Sequence, residues 1–279
     1  MSGESILRLC DVSFSYSPER QAVSRVCADI HAGERIAVLG PNGAGKSTLF
    51  LLLNGVLRPS EGSIRYLGKT ITEKNINVLR RNVGIIFQDA DSQMIAPGVR
   101  EEISFGPMNL KLSREETARR VAYAISCMNL QGLEERPPHY LSGGEKKRVS
   151  IADIIAMEPA VFLFDEPAAS LDCANEEKLE AVLDDLSGQG KTLLISTHDA
   201  DFAWRWAQRV LVMQGGMVRA DGTPPEIFAQ EALCREANLK CPTLYRIKDV
   251  GRTQSPEGER EIPADGGRIE STARGEMRE

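Results

Sequence analysis

"RIAVLGPNGAGKST", Arg35 to Thr48, is the stretch on which the reading of this 279-residue chain turns. Arg35 to Leu39 is a short, almost unbroken apolar run, the composition of a strand covered on both faces. Gly40 to Thr48 then satisfies G-x-x-x-x-G-K-[ST], with the apolar run before it and a helical pattern after it. Gly43, Ala44 and Gly45 carry little or no side chain, so consecutive backbone N–H groups can turn inward beside the positive end of the next helix. Gly40, Pro41, Asn42, Gly43, Ala44, Gly45, Lys46, Ser47 and Thr48 are therefore read as a phosphate-binding loop. In such a loop the lysine, Lys46, bridges the β- and γ-phosphates of a nucleotide and the serine, Ser47, holds Mg²⁺.

Four further apolar runs match the first: Val83 to Phe87, Ala160 to Phe164, Thr192 to Ser196 and Arg209 to Met213. Helical patterns lie between several of them, which predicts an α/β core with a mainly parallel sheet. "VFLFDEP" places Asp165 at a strand end, within reach of Mg²⁺ through water, and puts Glu166 one residue on. A carboxylate there that the metal does not need suits the orientation of water for in-line attack on a γ-phosphate. Gln88 and His198 close two more strands at the carboxyl edge, where doubly wound sheets bind ligands. Gln88 is read as a contact to Mg²⁺ and the attacking water, and His198 as a hydrogen-bond partner of the γ-phosphate.

Ahead of the first buried strand, Ile6 to Ile30 alternates apolar and polar residues and predicts half-buried antiparallel strands. From Asp89 to Tyr140 strand signals give way to helical ones. Ser113 and Glu116 stand at capping-box spacing, followed by Val121, Ile125 and Met128 on one face. The expected organisation is a core of residues 1–88 and 141–241, a helical insertion over 89–140, and a polar, disordered extension over 242–279.

The formal net charge of −6 gives no basic surface for nucleic acid. Six cysteines without a CxxC pair predict reduced, mostly buried thiols rather than a zinc site. The N-terminus lacks the basic and apolar regions of a signal peptide. The longest apolar stretch, Leu49 to Leu57, falls far short of the roughly 20 residues that span a bilayer, so membrane association is expected through a partner only.

A second glycine-rich helix start, "YLSGGEKKRVS" (Tyr140 to Ser150), needs its own explanation. Ser142 and Glu145 have capping-box spacing, but a cap does not account for Gly143 and Gly144, since glycine costs about 1 kcal/mol in a helix relative to alanine. Paired glycines at a positive helix end let an anion approach the backbone. A head-to-tail pair of chains would lay each "LSGG" over the other's nucleotide, giving two equivalent composite sites. The Lys146, Lys147, Arg148 run that follows reads as a solvated helix face.

The phosphate loop, Gln88, "LSGGE", "FLFDEP", "SLD" and "STHD" occur in the order found in the ATP-binding subunits of ABC transporters, and the resemblance runs from about Ile6 to Ala229. It implies a P-loop NTPase (RecA-like) core with an N-terminal antiparallel β subdomain and an inserted α-helical subdomain. It implies ATP and Mg²⁺ as ligands, Tyr16 stacked on adenine, Ser170 to Asp172 as the loop between the two sites, and Ser142, Gly143 and Gly144 on phosphate in trans. "GIIFQDADSQMIAPGVREEISFGPMNL", "PPHYLSGGEKKRVSIA" and "STHDADFAWRWAQRVLVM" are similar to the energy-coupling-factor branch, and within it to cobalt and nickel uptake ATPases. That likeness implies a homodimer at the cytoplasmic face of a prokaryotic cell membrane. It also implies a transmembrane coupling subunit docked on about Asp89 to Phe105, and a substrate-binding membrane subunit. "EPAASLD" departs from the family's more usual threonine and small residue in the inter-site loop. Vitamin uptake, a soluble ABC ATPase, and a non-hydrolysing nucleotide switch are the alternative readings; the switch is disfavoured by Glu166, Gln88 and His198 occurring together.

Overall fold

The alternating N-terminal segment pairs as expected: β1 (Ser5–Ser17) and β2 (Arg20–His31) run antiparallel, with Leu7, Leu9, Val12, Val23 and Ile30 buried along one side. The structure, a computed structural model, describes residues 5–90, 93–169 and 171–245. After β3 (Arg35–Leu39) and α1 (Lys46–Asn54), the chain returns to the first layer as β4 (Glu61–Tyr66) and β5 (Lys69–Thr70), completing a sheet of order β2-β1-β4-β5. These two strands are short and half exposed, so no apolar run in the sequence marks them.

Next come α2 (Ile76–Asn82), β6 (Val83–Ile86), α3 (Val99–Asn109), α4 (Arg114–Cys127), a 3₁₀ turn at Pro138–Tyr140, and α5 (Gly143–Met157). The chain then alternates through β7 (Val161–Asp165), α6 (Cys173–Gly188), β8 (Thr192–Thr197), α7 (Ala200–Trp206) and β9 (Arg209–Gln214). It ends in β10 (Met217–Gly222), α8 (Pro224–Phe228) and α9 (Glu231–Glu236). The second sheet has the order β10-β9-β3-β8-β7-β6 and is parallel except for β10.

Residue alternation along this sheet feeds separate cores on its two faces. Val161 and Leu163 of β7 join Leu194, Phe50 and the antiparallel layer, whereas Phe162 and Phe164 join α5 and α6 on the far side. Val99 and Ile103 of α3 and Val121 and Ile125 of α4 belong to that same second core. The inserted helices are thus packed onto the sheet through α5.

Several local expectations change. Ser113 caps α4 by accepting from the Glu116 N–H, but Glu116 does not return the bond, because its carboxylate is held by Arg119 and Arg120. Of the six cysteines Cys234 alone is buried, while Cys27 and Cys173 are exposed; β-strand edges and helix starts leave thiols open where composition suggested burial. Lys147 is not on a solvated face, being 2% exposed, since it lies four residues before Ile151 on the inward stripe of α5. At the start of the polar extension, Thr243 donates from its N–H to Asp201 of α7 at 2.7 Å and Tyr245 packs edge-on against Trp204. The rest of that extension, and Asp91, Ser92 and Ser170, lie outside the described residues.

Asp153 of α5 is partly buried. Burial, reinforced by the neighbouring Glu102 carboxylate, pushes its carboxyl up to about 7, against a hydrogen bond from Gln93. Because the folded value lies above the unfolded one, the unfolded chain releases this proton first as pH rises, and the folded state loses stability between about pH 4 and pH 7. Asp153→Asn removes that dependence. Urea unfolding at pH 5 and pH 8 should show the variant gaining on the parent by up to about 1.4 kcal/mol per pH unit across this window. Parallel stability curves for the two proteins would show that Asp153 titrates normally.

Candidate nucleotide site

The phosphate loop is shaped by backbone that closes in on it. A Cβ on Gly40 (φ 152°) would sit 2.2 Å from the Met213 carbonyl oxygen of β9, and one on Gly45 (φ 101°) 2.3 Å from that of Ala22 in β2. Only glycine fits at either place. Lys46, the first residue of α1, is 6% exposed, and its Nζ donates to the carbonyls of Gly40 at 2.8 Å and Pro41 at 3.3 Å. It stands 3.6 Å from Glu166 Oε1. The ammonium is thus fixed inside the curl of the loop.

A cavity of about 480 Å³ opens above this loop, lined by Tyr16, Arg20, Asn42 to Thr48, Gln88 and Glu166 among others. The Tyr16 ring is half exposed, and its hydroxyl lies 3.3 Å from Thr48 Oγ1. Glu166 follows β7 with φ 46°, a strained left-handed conformation for a residue with a side chain, and such strain gathers at functional sites. Its N–H is shared between Ser196 Oγ at 3.0 Å and Ser196 O at 3.2 Å. Its second carboxylate oxygen is 3.0 Å from His198 Nδ1, on a ring whose side chain is 80% exposed. His198 therefore reaches the cavity through Glu166. Asp165 is buried behind the cavity and accepts from Ser196 Oγ at 2.6 Å.

The second glycine start lies elsewhere in the chain. Ser142 caps α5 with both halves of a capping box: its N–H donates to Glu145 Oε2 at 2.7 Å, and its Oγ accepts from the Glu145 N–H at 3.3 Å. The bond from the Ser142 N–H holds the Glu145 carboxyl below its ordinary range. Gly143 is exposed, and a Cβ there would meet nothing within 4 Å. It lines a separate cavity with Gln88, Asp89, Ala90, Lys146, Lys147 and Ala169. Ser142, Gly143 and Gly144 are absent from the lining of the phosphate-loop cavity.

A sequence profile for the family described as ABC transporter matches residues 23–169. The chain belongs to this family. It is 42% identical over 247 residues to the energy-coupling factor transporter ATP-binding protein EcfA of Methanocaldococcus jannaschii, covering 88% of each chain. It is 44% identical over 246 residues to EcfA2 of Methanospirillum hungatei, covering 88% of this chain but only 62% of that longer relative. Among solved structures it resembles cbiO1 from Clostridium perfringens, part of the ABC transporter complex cbiONQ, with a TM-score of 0.73 and 38% identity over 89% of this chain and 99% of that one. It also resembles the dimeric ATP-binding cassette MJ0796 bound to ADP and Pi, with a TM-score of 0.72 and 27% identity over 78% of this chain and 98% of the other. The protein is an ABC ATPase of the energy-coupling factor type.

One site residue of this ABC ATPase escaped the sequence reading. Ser196, 0% exposed on β8, binds Asp165 and Glu166 at once, and its only mark in the sequence is a small polar residue closing an apolar run. Ser196→Ala deletes the donor to a buried carboxylate. A loss of about 1–3 kcal/mol in urea unfolding is expected, with hydrolysis slowed and ATP still bound. An unchanged unfolding midpoint would remove Ser196 from this role.

Proposed function

We propose that this chain works as one of a pair, each hydrolysing ATP against the other's Ser142, Gly143 and Gly144, to drive an importer through subunits in the cell membrane. The observation that carries this reading is the separation just described: two phosphate-type helix starts on one chain line two different cavities, and Gly143 is unconstrained by its own fold. An exposed glycine that the fold does not require is explained by something approaching from outside. The dimeric cassette with ADP and Pi among the structural relatives supports the pairing.

Within each site, Lys46 and the loop N–H groups neutralise the phosphates, and Tyr16 offers its exposed ring to the base. Glu166, fixed by its backbone bonds to Ser196, aligns water with the γ-phosphate, and His198 steadies the same carboxylate from outside. Ser47, Gln88 and Asp165 present a hydroxyl, an amide and a carboxylate, a hard oxygen set that fits Mg²⁺ with water and phosphate completing its shell. The ion supplies charge neutralisation on the phosphates.

Residues 89–105, except those outside the described set, are the proposed seat of the transmembrane subunit. Ile95 is 71% exposed and Phe105 49%, and Met108 nearby is 65% exposed, an apolar surface suited to a partner's helix. Among the described residues no helix is long and apolar enough to cross a membrane; the proposed position, at the cytoplasmic face through the partner subunits, follows from the likeness to energy-coupling factor ATP-binding proteins. The proposed cargo is a transition-metal ion, cobalt or nickel, a reading supported by the likeness to cbiO1.

Two outcomes test this. Glu166→Gln should bind ATP but hydrolyse it about 100-fold more slowly, and Gly143→Asp should keep its melting temperature while losing hydrolysis. Mixing the two inactive proteins should restore activity, because the mixed pair contains one intact composite site; a mixture as inactive as its parts would contradict shared sites. For the cargo, vesicles holding the complete transporter should take up labelled cobalt or nickel with ATP, and uptake of a vitamin in its place would redirect the assignment.

A further inference from the structure

The fold buries an ammonium that the phosphate loop does not use. Lys147 Nζ crosses from α5 to the end of β6 and donates to the carbonyls of Phe87 at 2.7 Å and Gln88 at 3.1 Å. Burial pushes this ammonium down to about 8, while Asp165, Asp89 and Glu166 act in the opposite sense. An apolar side chain of similar length is easier to bury than an ammonium, so stability alone does not account for a lysine here.

What the lysine holds is informative. Phe87 and Gln88 form the link between β6 and the segment proposed to meet the membrane subunit, and Gln88 lines both cavities. The same link is also tied within its own loop, where the Phe87 N–H donates to Gln93 Oε1 at 3.4 Å. Both Lys147 bonds come from the helix that begins with Ser142, Gly143 and Gly144. The backbone that aims Gln88 is therefore clamped to the helix whose start serves the other chain's nucleotide.

We propose that Lys147 is a positioning residue for ATP hydrolysis: by fixing the Phe87 and Gln88 carbonyls to α5, it sets the direction of the Gln88 side chain and makes it follow any movement of the Ser142–Gly144 helix start. The inference rests on the role given to Gln88 under the proposed function. Its physical basis is that a misplacement of about 1 Å in a group that orients a reactant can reduce rate by about 100-fold without weakening binding.

The test is a double-mutant cycle in the full chain, with ATP hydrolysis, nucleotide binding and thermal unfolding measured for each protein. Lys147→Met should lower kcat about tenfold with KM for ATP unchanged, and should add no further loss in a Gln88→Ala background. Lys147→Gln, whose amide still donates, should recover part of the rate, leaving a deficit of about threefold rather than tenfold. A purely structural lysine would behave otherwise, with losses that multiply with Gln88→Ala and track the melting temperature. That result, or a folded Lys147→Met protein at the parental rate, overturns the proposal. Should the methionine variant not fold, the glutamine variant decides: a loss seen with Gln88 and absent in the Gln88→Ala background supports positioning, and an equal effect in both backgrounds overturns it. Gln88→Ala hydrolysing at the parental rate would instead remove the role of Gln88 itself, and this inference with it.

Discussion

Parallel register is the constraint on which this protein depends. Leu39 of β3 pairs with Thr197 of β8, Ser196 with Asp165 of β7, and Phe164 with Ile86 of β6. Strands in this alignment all end at one edge, so the phosphate loop, the Asp165–Glu166 pair, Ser196 and Gln88 converge although they are spread over more than half of the chain. Antiparallel neighbours would have sent alternate strand ends to opposite edges. Burial on both faces keeps the register from slipping, because a shift of one residue would exchange the side chains feeding the two cores.

At that edge the chain holds charge in a tightly tied arrangement. Lys46 is bound to the loop carbonyls and faces Glu166, Glu166 is set by its φ and by Ser196, and Ser196 also restrains Asp165. Phosphoryl transfer draws mainly on such placed charges rather than on covalent chemistry, so preorganisation is where the fold contributes to rate. The one glycine start that takes no part in this cluster is Ser142 to Gly144. Its separation from the loop is the observation behind the proposal that two chains work as a pair.

Helix α5 links these functions. Its start offers the exposed Gly143, it carries the buried Lys147 and the partly buried Asp153, and it packs against the inserted helices and the sheet within one core. Buried polar groups of this kind stabilise a fold less than apolar packing would, but they fix one register of helix against loop. A rigid link of this sort would carry movement at the proposed docking segment, residues 89–105, to the nucleotide site.

The sequence by itself determined the class of the fold, the phosphate loop, the acidic strand end and the order of the family motifs. Each of these is local: a glycine spacing, an apolar run, or a polar residue where such a run stops. It also placed Val121 and Ile125 of α4, and Met128 at its end, on one face, since helical periodicity needs no knowledge of what the face meets. Tertiary structure alone decided that β4 and β5 join the first sheet, that His198 reaches the site through Glu166, that Ser196 holds both acids, and that Lys147 lies inside. These depend on which surfaces meet, and contact between residues distant in sequence leaves little trace in composition. Lys147 marks the boundary between the two kinds of knowledge: its distance from Ile151 put it on the buried stripe of α5, but its charge argued for water, and only the carbonyls of Phe87 and Gln88 reconcile the two.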